Sequence, residues 1–174
     1  MDNTVEKKDR VFQPFTIIRE RQRSYPVDVE ALAKDFNISI VNKDWPDDWS
    51  GAIGKDDNGF FIIVNKNHPK VRQRFTIAHE IAHYVLHRDK IGNGIKDDWK
   101  YRSRNISDTD EREANKLAAE ILMPADLVGQ AAVEVIGAPG VTSGERLSER
   151  HLAGVAKNLE VSTTALSIRL GVPA

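Results

Sequence analysis

Arg74-Phe-Thr-Ile-Ala-His79-Glu80-Ile-Ala-His83-Tyr-Val-Leu-His87 is the stretch on which the reading of this sequence turns. Apolar residues Phe75, Ala78, Ala82, Val85 and Leu86 recur at helical spacing, so Val71–His87 is expected to form one amphipathic helix. Residues four apart on a helix share a face, and the imidazoles of His79 and His83 can therefore meet at one point. His79-Glu80-x-x-His83 is the spacing by which two histidines bind a single metal ion. Glu80, beside that face, can reach a water on the ion. Without a metal, the same residues would be packed histidines and a solvated glutamate on an ordinary helix.

Two histidines do not complete a catalytic metal site; a third protein ligand is needed. Extension along the same helix is unfavourable. Leu86 stands where a glycine would have to turn the chain back, which leaves Asp89 a poor donor. His87 lies about 12 Å beyond His79 by helical rise alone, so a role beside a ligand, orienting it, suits it better than ligation. The next strong helix, about Thr109–Met123 and stopped by Pro124, opens with Asp110-Glu111-Arg112-Glu113-Ala114-Asn115. Its buried stripe is Ala114, Leu117, Ala118, Ile121 and Leu122. Glu111 falls about 50° from the centre of that stripe and Glu113 about 110° away. Glu111 is therefore the candidate third ligand, with Glu113 at the edge or in solvent. Asn115, one turn on, is a candidate to orient a histidine ligand.

Outward from these helices, Val29, Leu32, Ala33 and Phe36 mark a shorter helix introduced by Pro26 and ended by Asn37. Ile38–Val41 alternates like a strand, and Gly51–Gly54 with Phe60–Asn65 flank a Lys55–Gly59 turn as a hairpin. That hairpin could offer Phe60–Asn65 as an edge to an extended substrate, or simply cover the helices. Arg88–Ser107 reads as a loop, Asp126–Ile136 as a helix and Gly137–Gly144 as a connector. The segment 145–171 reads as two short helices parted at Glu160–Ser162. The expected organisation is an N-terminal arm (1–25), a main unit (26–136) and a C-terminal helical segment (137–174). The fold class is α+β.

Composition narrows the chemistry. There is no cysteine, which excludes disulfides, thiolate catalysis and cysteine-based metal sites. The 25 basic and 26 acidic residues nearly cancel, so no global field attracts nucleic acid or membrane. The start of the sequence has no apolar stretch of signal-peptide length. The longest apolar block, Phe60–Val64, falls far short of the ~20 residues that cross a bilayer. A soluble cytoplasmic protein is expected. The helix-turn-helix spacing from Leu152 to Leu170 carries few exposed basic or amide side chains (Thr163, Thr164, Ser167, Arg169), so packing or partner docking is expected rather than DNA reading. Lys66–Arg104 carries ten basic and four acidic residues, a surface suited to an acidic protein partner.

RFTIAHEIAHYVLH followed by EREANKLAAEILMP closely resembles the ImmA/IrrE family of metallopeptidases. The helix ending LAKDFNISIV, the hairpin SGAIGKDDNGFFIIVN and the tail from His151 to Leu170 are similar too. The resemblance covers most of residues 26–171. It implies a zincin-like domain in which His79, His83 and Glu111 hold zinc and Glu80 is the catalytic carboxylate. Manganese or iron would also suit two nitrogens and an oxygen. The transition-state donor is left open among Tyr101, Tyr84 and His87. The resemblance further implies an endopeptidase whose substrate is a regulatory protein, such as a helix-turn-helix repressor or an antitoxin encoded nearby. The alternative is a toxin or regulatory interaction module that keeps the fold without turnover.

Overall fold

A computed structural model describes residues 13–92, 106–137 and 148–172. Helix α1 covers 13–21 and leads to α2 (Val29–Asp35). Pro26 lies ahead of α2 rather than at its start. The Asp28 side chain makes the cap, accepting from the Ala31 N–H at 2.9 Å, a bond that proline's side chain cannot make. Asn37, at φ 55°, ends the turn after α2 as expected, since asparagine tolerates the left-handed region.

Three strands follow: β1 (Ile38–Lys43), β2 (Gly51–Asp56) and β3 (Gly59–Asn65). β2 and β3 form the expected antiparallel hairpin, with the strands reaching further and leaving a tighter turn at Asp57 and Asn58. β1 pairs with β3 in parallel, so the order is β1-β3-β2. This overturns the expectation that Phe60–Asn65 could present an edge. β3 is hydrogen-bonded on both sides, and its Ile62, Ile63 and Val64 are buried as a central strand requires.

The long helix α3 (Lys70–Leu86) crosses the sheet, and a 3-10 turn at Arg88–Lys90 follows it. α4 (Asp108–Leu122) packs more extensively on α3 than any other element does. Ala78, Ala82, Ala114 and Ala118 are all fully buried on these two helices, and small side chains let helix axes approach closely. α4 starts with a complete capping box: the Ser107 hydroxyl accepts from the Asp110 N–H, and the Asp110 carboxylate accepts from the Ser107 N–H at 2.7 Å. Pro124 stops α4 and then serves as the N-cap of α5 (Ala125–Ile136). α6 (Glu149–Leu159) and α7 (Thr163–Leu170) are the two short C-terminal helices, separated at the left-handed Glu160.

One hydrophobic cluster runs from Ile18 of α1 through Leu32, Ile62, Ile81, Ile121 and Leu159 to Leu166 of α7. The two ends of the described chain also secure the end of α4. The Gln22 amide donates to the carbonyls of Glu120 and Ile121, and Arg169 Nε donates to that of Met123, so terminal carbonyls that lack helical partners are satisfied. Arg169, a DNA-reading candidate by sequence, is committed to this contact. Among the described residues no helix is long and apolar enough to cross a membrane. The architecture is mixed α+β, as expected.

Candidate metal centre

α3 delivers His79 and His83 from successive turns, and the first turn of α4 delivers Glu111 across from them. His79 Nε2 lies 3.0 Å from His83 Nε2. Glu111 places Oε2 3.2 Å from His79 Nε2 and Oε1 3.5 Å from His83 Nε2. Donors about 2.0–2.1 Å from one tetrahedral ion lie roughly 3.3 Å apart, so the three spacings suit a shared small cation. Burial pushes the imidazolium form of His83 down, with the neighbouring Glu80 carboxylate opposing it. The neutral imidazole that results is the form that ligates. Donor type, spacing and protonation therefore all fit a divalent metal.

His79 and Glu111 line a cleft of about 620 Å³, while His83 is buried beside them. Glu80, His79, Glu111 and Asn115 face it from α3 and α4, and Glu80 is buried. The opposite side is built from Trp49, Ser50 and Gly51, with Arg72, Phe75 and Thr76 along the start of α3. The Phe75 ring stacks against His79 at 6.4 Å between centroids, a contact foreshadowed by their four-residue spacing.

Side chains between residues 65 and 72 hold the 44–50 loop in place. The Asn65 amide, fully buried at the end of β3, reaches the carbonyls of Trp45, Pro46 and Trp49 at 2.8–3.1 Å. His68 Nε2 adds a contact to the Asp47 carbonyl at 3.0 Å, and Ser50 Oγ accepts from Arg72. Gly51 fits beneath α3 only because it lacks a side chain: a Cβ would collide with Thr76 Cγ2 and lie 2.7 Å from the Ile63 carbonyl oxygen. None of Asn65, His68, Trp49 or Arg72 stood out in the sequence.

The remaining candidates fall in different places. Tyr84 packs between Phe36 and Phe60, its ring under the Arg88 guanidinium at 4.8 Å, and does not line the cleft. Tyr101 lies outside the described residues. Asn115 faces the cleft, while His79 Nδ1 is buried with no hydrogen-bond partner among the described residues, so the expected Asn115 bond to a histidine is not formed there. His87 lies behind His83, its Nδ1 3.3 Å from that of His83. Glu113, expected at the edge or in solvent, is solvent-exposed, and its carboxylate reaches His87 Nε2 at 3.1 Å. Asp110 joins the same group. Its bonds to Lys90 and Ser107 hold it well below the usual carboxylate range.

The chain is 34% identical over 130 residues to the Radiation response metalloprotease IrrE of Deinococcus radiodurans, covering 74% of this chain and 34% of that protein. The protein of the same name from Deinococcus deserti is 32% identical over 111 residues, covering 63% and 35%. The chain thus spans about a third of the length of these relatives. Among solved structures, a Mycobacterium tuberculosis transcriptional regulator shares the fold with a TM-score of 0.58 at 16% identity, covering 94% of this chain and 47% of that one. The family model for the IrrE N-terminal-like domain matches residues 33–170. With its paired helices bearing the His79, His83 and Glu111 cluster within that span, the chain belongs to the Peptidase_M78 family of metallopeptidases.

Proposed function

We propose that this chain is a zinc-dependent endopeptidase acting on a specific regulatory protein, with zinc held by His79, His83 and Glu111 and with Glu80 as the general base. The observation that carries this reading is the convergence of two imidazole nitrogens and a carboxylate within 3.0–3.5 Å, beside a cleft that His79, Glu80 and Glu111 line. Bound there, zinc would supply Lewis acidity to the scissile carbonyl and acidify an attacking water. Glu80, buried beside the ligands, takes the water proton and returns it to the departing amine. The cleft walls hold the peptide, with Trp49 and Phe75 offering apolar surface and Arg72 a cation.

A helix-turn-helix repressor or an antitoxin is the substrate class that the family resemblance favours, and the basic Lys66–Arg104 segment suits an acidic surface on such a partner. The residue ranges 1–25, 26–136 and 137–174 are offered as the organisation of the chain. The test is cleavage of the protein encoded beside this one, by wild type and by Glu80→Gln, each with and without a chelator. Metal-dependent cleavage that falls by about 10²–10⁴ in Glu80→Gln supports the reading. Equal cleavage by both proteins removes Glu80 as the base. Binding without cleavage by metal-loaded wild type favours the interaction-module alternative.

A further inference from the structure

His87 is 4% exposed and has no part in the peptide hydrolysis proposed above. Its two ring nitrogens are nonetheless engaged. Nδ1 lies 3.3 Å from His83 Nδ1, while Nε2 lies 3.1 Å from Glu113 Oε2 and 3.3 Å from Asp110 Oδ1. A neutral imidazole has one N–H, and an ionised carboxylate can only accept. In a neutral His87 that donates from Nε2 to the carboxylates, Nδ1 is the acceptor. The facing His83 Nδ1 is then the matching donor. That leaves the lone pair of His83 on Nε2, aimed at His79 and Glu111.

The geometry points to His87 as a positioning residue that fixes the tautomer and ring orientation of His83 for metal binding, through a two-step chain from Asp110 and Glu113. This inference rests on the metal-centre reading and deepens it. Histidine ligands commonly donate their second N–H to a carboxylate or carbonyl, which orients the ring and raises its basicity. Here a second histidine is inserted between ligand and carboxylate. The start of α4 serves both ends: Glu111 meets His79 and His83, while Asp110 and Glu113 meet His87, the residue that caps the C-terminus of α3. Three acids of α4 thus mesh with three histidines spaced four residues apart. Beside His87, Asp110 and Glu113 the Lys90 ammonium already supplies a cation, 2.7 and 2.8 Å from the two Asp110 oxygens.

The test is zinc affinity, by competition with a chromophoric chelator, together with nitrogen-15 NMR of the zinc-loaded protein's histidines. Wild type is expected to bind one zinc, with protons on His83 Nδ1 and His87 Nε2. His87→Leu, which keeps bulk but removes the acceptor, is expected to lower zinc affinity by about 10–100-fold. His87→Gln, whose side-chain oxygen can accept from His83, is expected to recover most of that loss. A folded His87→Leu protein within about threefold of wild-type affinity overturns the inference. So does a proton on His87 Nδ1 or coordination through His83 Nδ1, a readout that stands even where His87→Leu does not fold. Wild type that binds no stoichiometric zinc instead defeats the metal-centre reading itself.

Discussion

The buried Asn65 amide does more for the cleft than its place at a strand end suggests. It bridges three carbonyls of the 44–50 loop, and truncation would leave these acceptors without their buried donor. Asn65→Ala is therefore expected to cost about 1–3 kcal/mol of stability by urea unfolding. Zinc affinity should change little, since none of the proposed ligands lies on that loop. Glu111→Gln should behave in the opposite way, with a near wild-type melt of the metal-free protein but loss of zinc on dialysis, read by elemental analysis. At this scale the convergence of His79, His83 and Glu111 was legible because the HExxH spacing and the helical periodicity of the next helix put them on facing sides. Asn65 was not, because its partners are backbone carbonyls up to twenty residues away, and carbonyls leave no mark in a sequence.

The helices meet their neighbours with little tolerance. Ser107 caps α4, the helix that supplies Glu111, and Ser107→Ala is expected to cost about 1 kcal/mol, visible as a lower midpoint of thermal unfolding. Gly154, in the interior of α6, presents two opposed effects. Alanine would gain about 0.8–1 kcal/mol of helix propensity, but its Cβ would lie 2.8 Å from Val135 Cγ1 of α5. Valine is stiff at χ1 and cannot easily swing aside, and overpacking costs about 1–3 kcal/mol. Gly154→Ala is thus expected to destabilise, by up to about 2 kcal/mol in denaturant titration. The bounds of α3, α4 and α5 were readable to within a residue from apolar spacing and proline, whereas α2 starts three residues after Pro26 and the 13–21 helix was not foreseen. Strand order was not readable: period-2 alternation gives a strand its faces but does not name its partner. The parallel pairing of β1 with β3 places in the centre a strand that a local hairpin reading leaves at an edge.

At the scale of the whole molecule, the 13–21 helix is bound to the rest of the fold. Ile18 is in the core, Gln22 reaches the last carbonyls of α4, and Arg21 pairs with Asp35 of α2, its Nη2 lying 2.6 Å from Oδ1. The hydrogen bond from Arg21 lowers the Asp35 carboxyl below its ordinary value. A carboxylate depressed in the folded state contributes stability above its unfolded value, about pH 4, and loses it as pH falls further. The pair is exposed, so solvent screening keeps its contribution small. Urea titrations between pH 2 and about pH 6 should show Asp35→Asn with a shallower acid limb than wild type and little difference below the transition. The sequence sets residues 1–25 apart as a polar, charged arm, and the acceptors for Gln22, backbone atoms about a hundred residues further on, leave no mark in it. The family-matched span begins at residue 33, inside α2, and so excludes α1 and cuts a helix. A protein trimmed to that span would leave two carbonyls at the end of α4 facing the gap where Gln22 had been. The fraying this invites begins at the opposite end of the helix from Glu111, so shortened versions should surrender their zinc through loss of helix order while every proposed ligand is still present.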